Sequence, residues 1–326
     1  MSKIKVAVVY GGRSGEHEVS LRSAESIIAN LDPARYNVSR FLVSKEGQWH
    51  PNAILPAPGA NPEIDVIFPI THGTFGEDGT MQGLFELADL PYVGPGVLGS
   101  AAAMDKEFTK RVLHDAGVPI VDYLIQRRGH LDPAAIIARL GLPVFVKPAN
   151  LGSSVGISKA KTAEALELAL DDAARYDTKV VIERAIAGRE FECSVLGNED
   201  LQASFPCEMI PEREFYDYEA KYLVDTTRIE LPANLDSTQT ATLRKLAVDA
   251  VRALDCEGMS RVDFLLETAT GNFYVNEVNT LPGFTSISMY PKMWEHSGIG
   301  YDQLLDKLIE LAFARHARRK ATQFTR

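Results

Sequence analysis

The fold depends on two segments, Arg261-Val262-Asp263 and Glu277-Val278-Asn279-Thr280-Leu281-Pro282-Gly283. Between them residues 268–272 (TATGN) form a turn signal, which predicts a β-hairpin with Asp263 opposite Glu277 and Arg261 opposite Asn279. Because residues two apart on a strand share one face, the four side chains are expected to point the same way. Two carboxylates and an amide oxygen beside an arginine suit Mg²⁺ carrying phosphates. The alternative interpretation is a solvated polar face on an edge hairpin.

The composition is that of a soluble globular protein with two or three domains. The chain has 326 residues, of which 45% are hydrophobic and 24% are charged. Its formal net charge of −10 argues against a general nucleic-acid binder, although clustered lysines could still hold an anionic ligand. Cys193, Cys207 and Cys256 lack metal-ligand spacing and indicate reduced thiols in a cytoplasmic protein. We expect no signal peptide and no membrane span, because no apolar run has the required length.

Strands that alternate with helices predict an α/β fold whose first unit contains a parallel sheet covered on both faces. The strands predicted in this unit are Val6–Val9, Val38–Val43 and Val66–Ile70, and the helices are Ser20–Leu31 and Gln82–Ala88. The unit ends near the loop signal Gly94-Pro95-Gly96.

Two further units follow. The second is predicted to contain helices at Met104–Ala116, Pro133–Leu140 and Ala163–Arg175 and strands at Val121–Ile125, Val144–Lys147 and Val180–Glu183. The third is predicted to contain strands at Phe191–Leu196 and Ala203–Ile210, a helix capped by Ser237 and ending at Leu254, the hairpin, and a final helix at Asp302–Arg315. A long polar segment covers residues 211–232, and a loop of that length is usually functional or disordered.

The candidate nucleotide site does not follow the common phosphate-binding motifs. No Walker A sequence occurs, and the glycines at 11–15 lack the dinucleotide-binding spacing G-x-G-x-x-G. The best phosphate cradle is 147–156, where a lysine at the end of a buried strand precedes a loop of small residues. Lys106 opens a helix of the same unit, although a single such lysine is more often solvated. Glu183 and Glu190 could accept hydrogen bonds from adenosine, although each alone is more often part of a surface ion pair.

Five motifs in this order resemble those of the ATP-grasp superfamily and, within it, the D-alanine–D-alanine ligase family. They are residues 11–20 (GGRSGEHEVS), 72–79 (HGTFGEDG), 147–156 (KPANLGSSVG), 214–222 (EFYDYEAKY) and 277–283 (EVNTLPG) with its continuation at 285–288 (TSIS). The resemblance covers nearly the whole chain. It implies an α/β fold, α+β in the ATP-binding part, with an N-terminal parallel-sheet domain at 1–96, a central domain at 97–183 and a C-terminal domain at 184–326.

The resemblance also implies a reaction. ATP, held between the central and C-terminal domains, would phosphorylate the carboxylate of one D-alanine. The amine of a second D-alanine would then attack the acyl phosphate and give the dipeptide used for peptidoglycan. Segment 211–232 would be the ω-loop, which folds over the site and keeps water from hydrolysing the acyl phosphate.

Residue roles follow from the same resemblance. The implied Mg²⁺ ligands are Asp263, Glu277 and Asn279, with Glu277 bridging two ions. The implied nucleotide contacts are Lys106, Lys147, Ser153, Ser154 and Lys221 for phosphate and Glu183, Arg184, Ile186 and Glu190 for adenosine. The implied substrate and catalytic residues are Glu16 and His72 for the first D-alanine, Arg261 and the Gly283 N–H for the oxyanion, Ser153 and Tyr222 as hydrogen-bonded partners of Glu16, and Ser288 and Met289 for the second D-alanine. By itself Glu16 could simply stabilise a helix N-terminus, and a lone histidine such as His72 is normally structural.

Several alternatives stay open at this point. Related ligases that use D-lactate typically carry histidine in the loop where this chain has Tyr222, so Tyr222 favours D-alanine. A D-alanine–D-lactate ligase, another ATP-grasp carboxylate–amine ligase, a nucleotide binder without catalysis and a Rossmann-type oxidoreductase are the competing interpretations. The resemblance further implies a homodimer, Mn²⁺ as a substitute for Mg²⁺, and a monovalent cation such as K⁺ as a candidate activator.

Overall fold

The computed structural model describes residues 2–152, 155–210 and 228–323, and these residues form three β-sheets with helices packed against them. The helices are α1 (His17–Asn30), α2 (Thr80–Leu87), α3 (Val97–Met104), α4 (Lys106–Asp115), α5 (Pro133–Leu140), α6 (Ala163–Tyr176), α7 (Ser237–Ala253), α8 (Met289–His296) and α9 (Tyr301–Lys320). The strands are β1 (Ile4–Gly11), β2 (Tyr36–Val43), β3 (Trp49–His50), β4 (Val66–Pro69), β5 (Tyr123–Arg127), β6 (Val144–Pro148), β7 (Ser158–Ala160), β8 (Lys179–Arg184), β9 (Gly188–Gly197), β10 (Gln202–Ala203), β11 (Cys207–Ile210), β12 (Arg228–Glu230), β13 (Gly258–Glu267) and β14 (Phe273–Asn279). The predicted domain boundaries at 96 and 183 stay predictions.

The first sheet has the strand order β3-β2-β1-β4, with β1 parallel to both β2 and β4. Alternate residues of β1 bury on opposite faces: Val6 and Val8 pack with α1 and α9, whereas Ala7 and Val9 pack with α2. The predicted parallel sheet covered on both faces is therefore confirmed. One of its covering helices, α9, comes from the other end of the chain.

The second sheet is antiparallel in the order β5-β8-β6-β7, and α5 and α6 cover one face. Its inner strands β6 and β8 contain Lys147 and Glu183, respectively. Because the apolar residues of these strands bury under the helices, the polar residues are left for the opposite side of the sheet.

The third sheet is antiparallel in the order β12-β11-β9-β13-β14, with β10 also paired to β9. In the hairpin β13–β14, Arg261 pairs with Asn279 and Asp263 with Glu277, so the predicted register is confirmed. The register then shifts in a β-bulge, because Phe264 pairs with Val275 and leaves one extra residue, Asn276, on β14.

Local details of three predicted elements are wrong. The strand predicted at 203–210 is interrupted at Pro206, which has no N–H for the ladder, and divides into β10 and β11. The N-cap of α7 is Asp236 rather than Ser237, since the Asp236 carboxylate accepts a hydrogen bond from the Gln239 N–H at 2.8 Å. The helix predicted at 104–116 divides at Asp105, which ends α3 and caps α4 by accepting from the Phe108 N–H at 3.1 Å. Among the described residues no helix is both long and apolar enough to cross a membrane.

Candidate active site

The hairpin presents an acidic cluster, which we define as Glu192, Arg261, Asp263, Glu277 and Asn279. The Arg261 guanidinium donates two hydrogen bonds of 2.7 Å to the Asp263 carboxylate and lies 3.3 Å from Glu192 on β9. The Asn279 amide donates to Asp263 at 3.1 Å. Burial favours the neutral form of Arg261, but Asp263 and Glu192 outweigh it and hold its pKa well above the usual range. The guanidinium is therefore permanently charged and oriented by carboxylates.

A second group, the lysine cluster, consists of Lys110, Lys147 and Glu183. The Glu183 carboxylate is buried, with Lys147 Nζ 2.6 Å from one oxygen and Lys110 Nζ 2.9 Å from the other. Burial alone would raise the pKa of Glu183, but the two ammonium groups lower it to about 2. Burial similarly opposes charge on Lys147, and Glu183 reverses this and raises its pKa. The cluster holds one carboxylate between two ammonium groups, so it carries a positive charge in excess.

The β-bulge joins the two clusters. Without the extra residue, Asn276 would face away from Glu277, because neighbouring residues of a strand point to opposite faces. The bulge turns Asn276 toward the cleft, where its Oδ1 accepts a hydrogen bond of 3.2 Å from Lys147 Nζ. The second and third sheets therefore meet at Lys147.

Lys106 lies at the same meeting point. As the first residue of α4 it follows the Asp105 cap, and its Nζ donates to the Leu151 carbonyl at 2.7 Å. Lys106, Gly152, Glu277 and Asn279 line one small cavity. The structure thus brings together the predicted phosphate lysines Lys106 and Lys147 and the predicted metal ligands, which are far apart in the sequence.

Glu16 lies where the first sheet meets this cavity. A Cβ on Gly73 would be 2.9 Å from Glu16 Oε2, and a Cβ on Gly152 would be 3.2 Å from the same oxygen. Gly73 also has φ +72°, a conformation that favours glycine. Glu16 is the N-cap of α1, but its side chain makes no capping hydrogen bond. The glycines therefore make room for a carboxylate that faces the cleft.

His72 is buried and fixed at both ring nitrogens. Nδ1 lies 2.9 Å from the Leu281 carbonyl, which can only accept, so Nδ1 is the protonated nitrogen. Nε2 lies 3.4 Å from the Ser23 hydroxyl, which itself accepts from the Phe284 N–H at 3.2 Å. Burial lowers the pKa of His72 despite the opposing charge of Glu16. A neutral His72 thus ties its glycine-rich loop to residues 281–284.

The end of the hairpin leads directly into α8. A Cβ on Gly283 would be 2.8 Å from Ser288 Oγ, so only glycine lets this hydroxyl approach. Ser288 Oγ in turn accepts from the Thr285 N–H at 2.9 Å. The Met289 side chain is buried beside Met293, which leaves the backbone of Met289, in the first turn of α8, as the part that can meet a ligand.

The predicted adenosine residues lie at the connection between the second and third sheets. Arg184 ends β8 and forms an ion pair of 2.8 Å with Glu267, Ile186 is half-buried in the short connection, and Glu190 lies on β9. Ser153, Ser154, Lys221 and Tyr222, with most of segment 211–232, lie outside the described residues. Their predicted roles stay predictions.

Four site residues were missed by sequence reasoning: Lys110, Glu192, Glu77 and Asn276, the last of which faces the site only because of the β-bulge. Lys110 follows Lys106 by one helical turn, a spacing that could have flagged it. Glu192 needs the β9–β13 register to be placed opposite Asp263. Glu77 belongs to a quoted motif without an assigned role; it accepts from the Gly73 N–H at 2.8 Å. Burial, together with the charge of Glu16, raises its pKa to about 8.

Comparison with known proteins agrees with this arrangement. Two family models match the chain, "D-ala D-ala ligase N-terminus" at residues 5–61 and 55–95 and "D-ala D-ala ligase C-terminus" at residues 112–310. A D-alanine–D-alanine ligase of Solibacter usitatus is 59% identical over 99% of this chain and 100% of its own length. A D-alanine–D-alanine ligase from a Thermoanaerobacter species is 48% identical over 97% of this chain and 98% of its own length.

Solved structures are similar over the same extent. The D-alanine–D-alanine ligase of Coxiella burnetii has a TM-score of 0.89 and 37% identity, covering 98% of this chain and 97% of its own. The VanG D-Ala:D-Ser ligase of Enterococcus faecalis has a TM-score of 0.88 and 34% identity, covering 95% and 100%. Both extend the similarity from the sequence to the arrangement of the three sheets.

Proposed function

The chain belongs to the D-alanine–D-alanine ligase family, with the ATP-grasp fold, and we propose that its acidic and lysine clusters divide the work of the family's reaction between them. The enzyme joins two D-alanines at the expense of ATP through a D-alanyl phosphate, for peptidoglycan synthesis. The observation that carries the division is the hairpin register, which pairs Arg261 with Asn279 and Asp263 with Glu277. Glu277 and Asn279 share a cavity with Lys106, and Asn276 beside them accepts a hydrogen bond from Lys147.

The lysine side of the cleft receives the phosphates of ATP. A carboxylate becomes a good electrophile only when one of its oxygens can leave, and phosphorylation provides that leaving group. Phosphoryl transfer requires alignment and charge neutralisation more than covalent help. Lys147 and Lys106 place ammonium groups at the cavity, while Glu183, Arg184, Ile186 and Glu190 hold the adenosine at the connection between the sheets.

The first D-alanine binds between Glu16 and the hairpin. Its ammonium group meets the Glu16 carboxylate, which lies beside Gly73 and Gly152 at the edge of the cleft. Neutral His72 holds the loop that forms this pocket against residues 281–284. Its assigned role is therefore to contact the first D-alanine and to position the loop. Ser153 and Tyr222 are assigned as hydrogen-bonded partners of Glu16, and Ser154 and Lys221 as further phosphate contacts.

Arg261 and the Gly283 N–H stabilise the oxyanion that forms when the second amine attacks. The guanidinium is already held by Asp263 and Glu192, so little reorganisation is needed when negative charge develops. The carboxylate of the second D-alanine binds at Ser288 and the first turn of α8, where backbone N–H groups lack partners within the helix.

The donor set fits a magnesium site. Within the described ranges no group of three or more His, Cys, Asp or Glu side chains is arranged to hold a metal ion by itself. The site would therefore combine the Asp263 and Glu277 carboxylates with the Asn279 amide oxygen, all hard donors. Two Mg²⁺ ions, for which Mn²⁺ would substitute, would neutralise the charge on the transferring phosphoryl group. A monovalent cation such as K⁺ is proposed as an activator, to be tested by adding KCl at constant ionic strength.

Phosphate release from Mg²⁺-ATP, with products identified by mass spectrometry, tests the function. We expect D-alanyl-D-alanine with D-alanine and no dipeptide with L-alanine. D-alanyl-D-lactate as the main product in a mixture of D-alanine and D-lactate would keep the mechanism but overturn the assigned second substrate. ATP binding without any product would overturn the proposed division of roles.

We also propose a homodimer that works in the cytoplasm, where ATP is available. Leu87, Val97 and Leu98 lie close in sequence around α2 and α3 and are 64%, 40% and 65% exposed, which suits burial against a second copy. Leu98→Glu should convert the dimer to a monomer in size-exclusion chromatography with light scattering, with Leu168→Glu, equally exposed on α6, as the control. An unchanged dimer for Leu98→Glu would place the interface elsewhere.

A further inference from the structure

Lys110 is a buried charged residue that none of the steps above uses. It lies on α4 with only 2% of its side chain exposed, so it cannot itself reach a ligand in the cleft. Its Nζ lies 2.9 Å from Glu183 Oε1 and 5.5 Å from the centre of the Tyr123 ring. Any influence of Lys110 on a ligand therefore passes through Glu183.

Stability does not explain a lysine at this position. The 2.9 Å ion pair with Glu183 is the one close polar contact of Lys110 Nζ within the described part of the chain, so the ammonium group has fewer partners than its three N–H groups could serve. Burial lowers the pKa of Lys110, although Glu183 opposes this and favours the charged form. A buried charge with few hydrogen bonds is costly, and an apolar residue of similar size is often at least as stabilising.

The charges around Lys147 offer another explanation. Glu183 lies 2.6 Å from Lys147 and would cancel the charge of that ammonium group if the two were alone. Lys110 attracts the other oxygen of the same carboxylate and restores an excess of one positive charge. Asn276, which accepts a hydrogen bond from Lys147, is neutral, and the carboxylates of Glu277 and Glu190 attract the ammonium group in addition to Glu183. The excess is what a polyphosphate would meet at the cleft surface.

We propose that Lys110 is a positioning residue that offsets the charge of Glu183 and so keeps the positive charge of Lys147 available to the phosphates of ATP. The inference rests on the proposed contact between Lys147 and phosphate. It identifies Lys110–Glu183–Lys147 as a triad with a net positive charge, in which one carboxylate orients Lys147 and the second lysine offsets the negative charge of that carboxylate.

The test uses the full-length enzyme and four variants. Lys110→Met should raise the KM for ATP about tenfold, because the cluster becomes neutral, while the KM for D-alanine changes by less than about twofold. Its melting temperature should change little, since Glu183 and Lys147 remain a matched pair. Lys110→Arg keeps a positive charge beside Glu183 and should retain most of the ATP affinity. Lys245→Met, at an exposed position of α7, removes the same charge and should leave the KM values at the wild-type level.

Competition with ADP and with adenosine gives a second readout. Lys110→Met should weaken inhibition by ADP but leave inhibition by adenosine unchanged, because only ADP carries phosphates. A folded Lys110→Met enzyme with wild-type ATP and ADP affinity would overturn the inference, as would equal weakening for ADP and adenosine. Lys147→Met distinguishes failure of the proposed function from failure of the inference. If Lys147→Met leaves ATP affinity intact, the proposed contact between Lys147 and phosphate is wrong. If Lys147→Met weakens ATP binding but Lys110→Met does not, only the inference about Lys110 is wrong.

Discussion

The acidic cluster and the lysine cluster are opposite solutions to the burial of charge. In the first, one guanidinium lies among three carboxylates, Glu192, Asp263 and Glu277, so negative charge is in excess. In the second, one carboxylate lies between two ammonium groups, so positive charge is in excess. Each cluster contains a single counter-charge that orients the others through short contacts. In both clusters the minority charge therefore arranges the site, while the majority charge determines what binds.

The two excesses suit the two kinds of ligand. An excess of oxygen anions favours divalent cations, whereas an excess of ammonium groups favours phosphates. Asn276, on the same strand as Glu277, accepts a hydrogen bond from Lys147 of the lysine cluster. Bound cations and phosphates would therefore lie next to each other in the cleft. Variants that alter one charge at a time test this contrast.

Removing an acidic ligand should have the largest effect. Glu277→Gln keeps the shape of the side chain but removes a carboxylate at the assigned metal position, and we expect turnover to fall at least about a thousandfold. Phosphate release at saturating Mg²⁺ measures this loss. The control is Glu310→Gln on the exposed face of α9, which should behave as wild type. Turnover within about tenfold of wild type would show that the acidic cluster does not hold the catalytic cations.

Removing the minority charge of the acidic cluster should lower turnover somewhat less. Arg261→Ala deletes the assigned oxyanion donor, and we expect turnover to fall about a hundredfold with the KM for ATP changed only a few-fold. It also leaves Glu192 and Asp263 without their counter-charge, so the melting temperature should fall. Assays must therefore run well below that temperature. Full turnover under conditions where chemistry is rate-limiting would refute the oxyanion role.

The same contrast explains what the sequence could reveal. The acidic hairpin is local, so alternation and one turn signal were enough to predict the pairing of Asp263 with Glu277. The lysine cluster joins α4, β6 and β8, and no periodicity relates Lys110 to Glu183 across the intervening elements. The bulge at Asn276 depends on how Phe264 and Val275 bury, which the pattern of the hairpin does not specify.

The sequence also could not predict which elements pack together when they lie far apart along the chain. The parallel first sheet follows from its apolar strands, but the sequence pattern does not say that α9 covers it, because every amphipathic helix is a candidate cover. Most assigned site residues were found through motifs, whereas Glu77 and Glu192 became visible only with their neighbours in space. The role of Glu192 depends on its contact with Arg261, which only the β9–β13 pairing produces.

A carboxylate outside both clusters provides a milder test. Glu16→Gln keeps the hydrogen-bonding capacity at the first pocket but removes its charge, and we expect the KM for the first D-alanine to rise roughly ten- to a hundredfold. The KM for ATP should stay unchanged, because the phosphates lie on the lysine side. Glu18→Gln, exposed on the same helix and paired with Lys45, serves as the control. A rise confined to the KM for ATP would contradict the assignment of Glu16.

The smallest effect concerns Glu77, which lines the cavity between the acidic residues and Lys106. Its pKa is raised from 4.5 to about 8 by burial and by the negative charge of Glu16, with a smaller contribution from Glu277. The folded state therefore binds a proton more tightly than the unfolded state, so this group stabilises the fold below about pH 4.5 and loses that contribution as pH rises toward 8.

Glu77→Gln cannot titrate and should remove this pH dependence. Near pH 5 the variant and the wild type should have similar free energies of unfolding. At pH 8 to 9 the variant should be more stable by about 1 to 2 kcal/mol, or roughly 2 to 4 °C in melting temperature, a figure reduced for solvent screening of a partly exposed side chain. Melting temperatures across pH 5–9 measure it. A variant that is less stable than the wild type at pH 8 to 9 would mean that the positive charge of Lys106 affects Glu77 more strongly than the neighbouring carboxylates do. Glu77 would then belong to the positively charged side of the cleft.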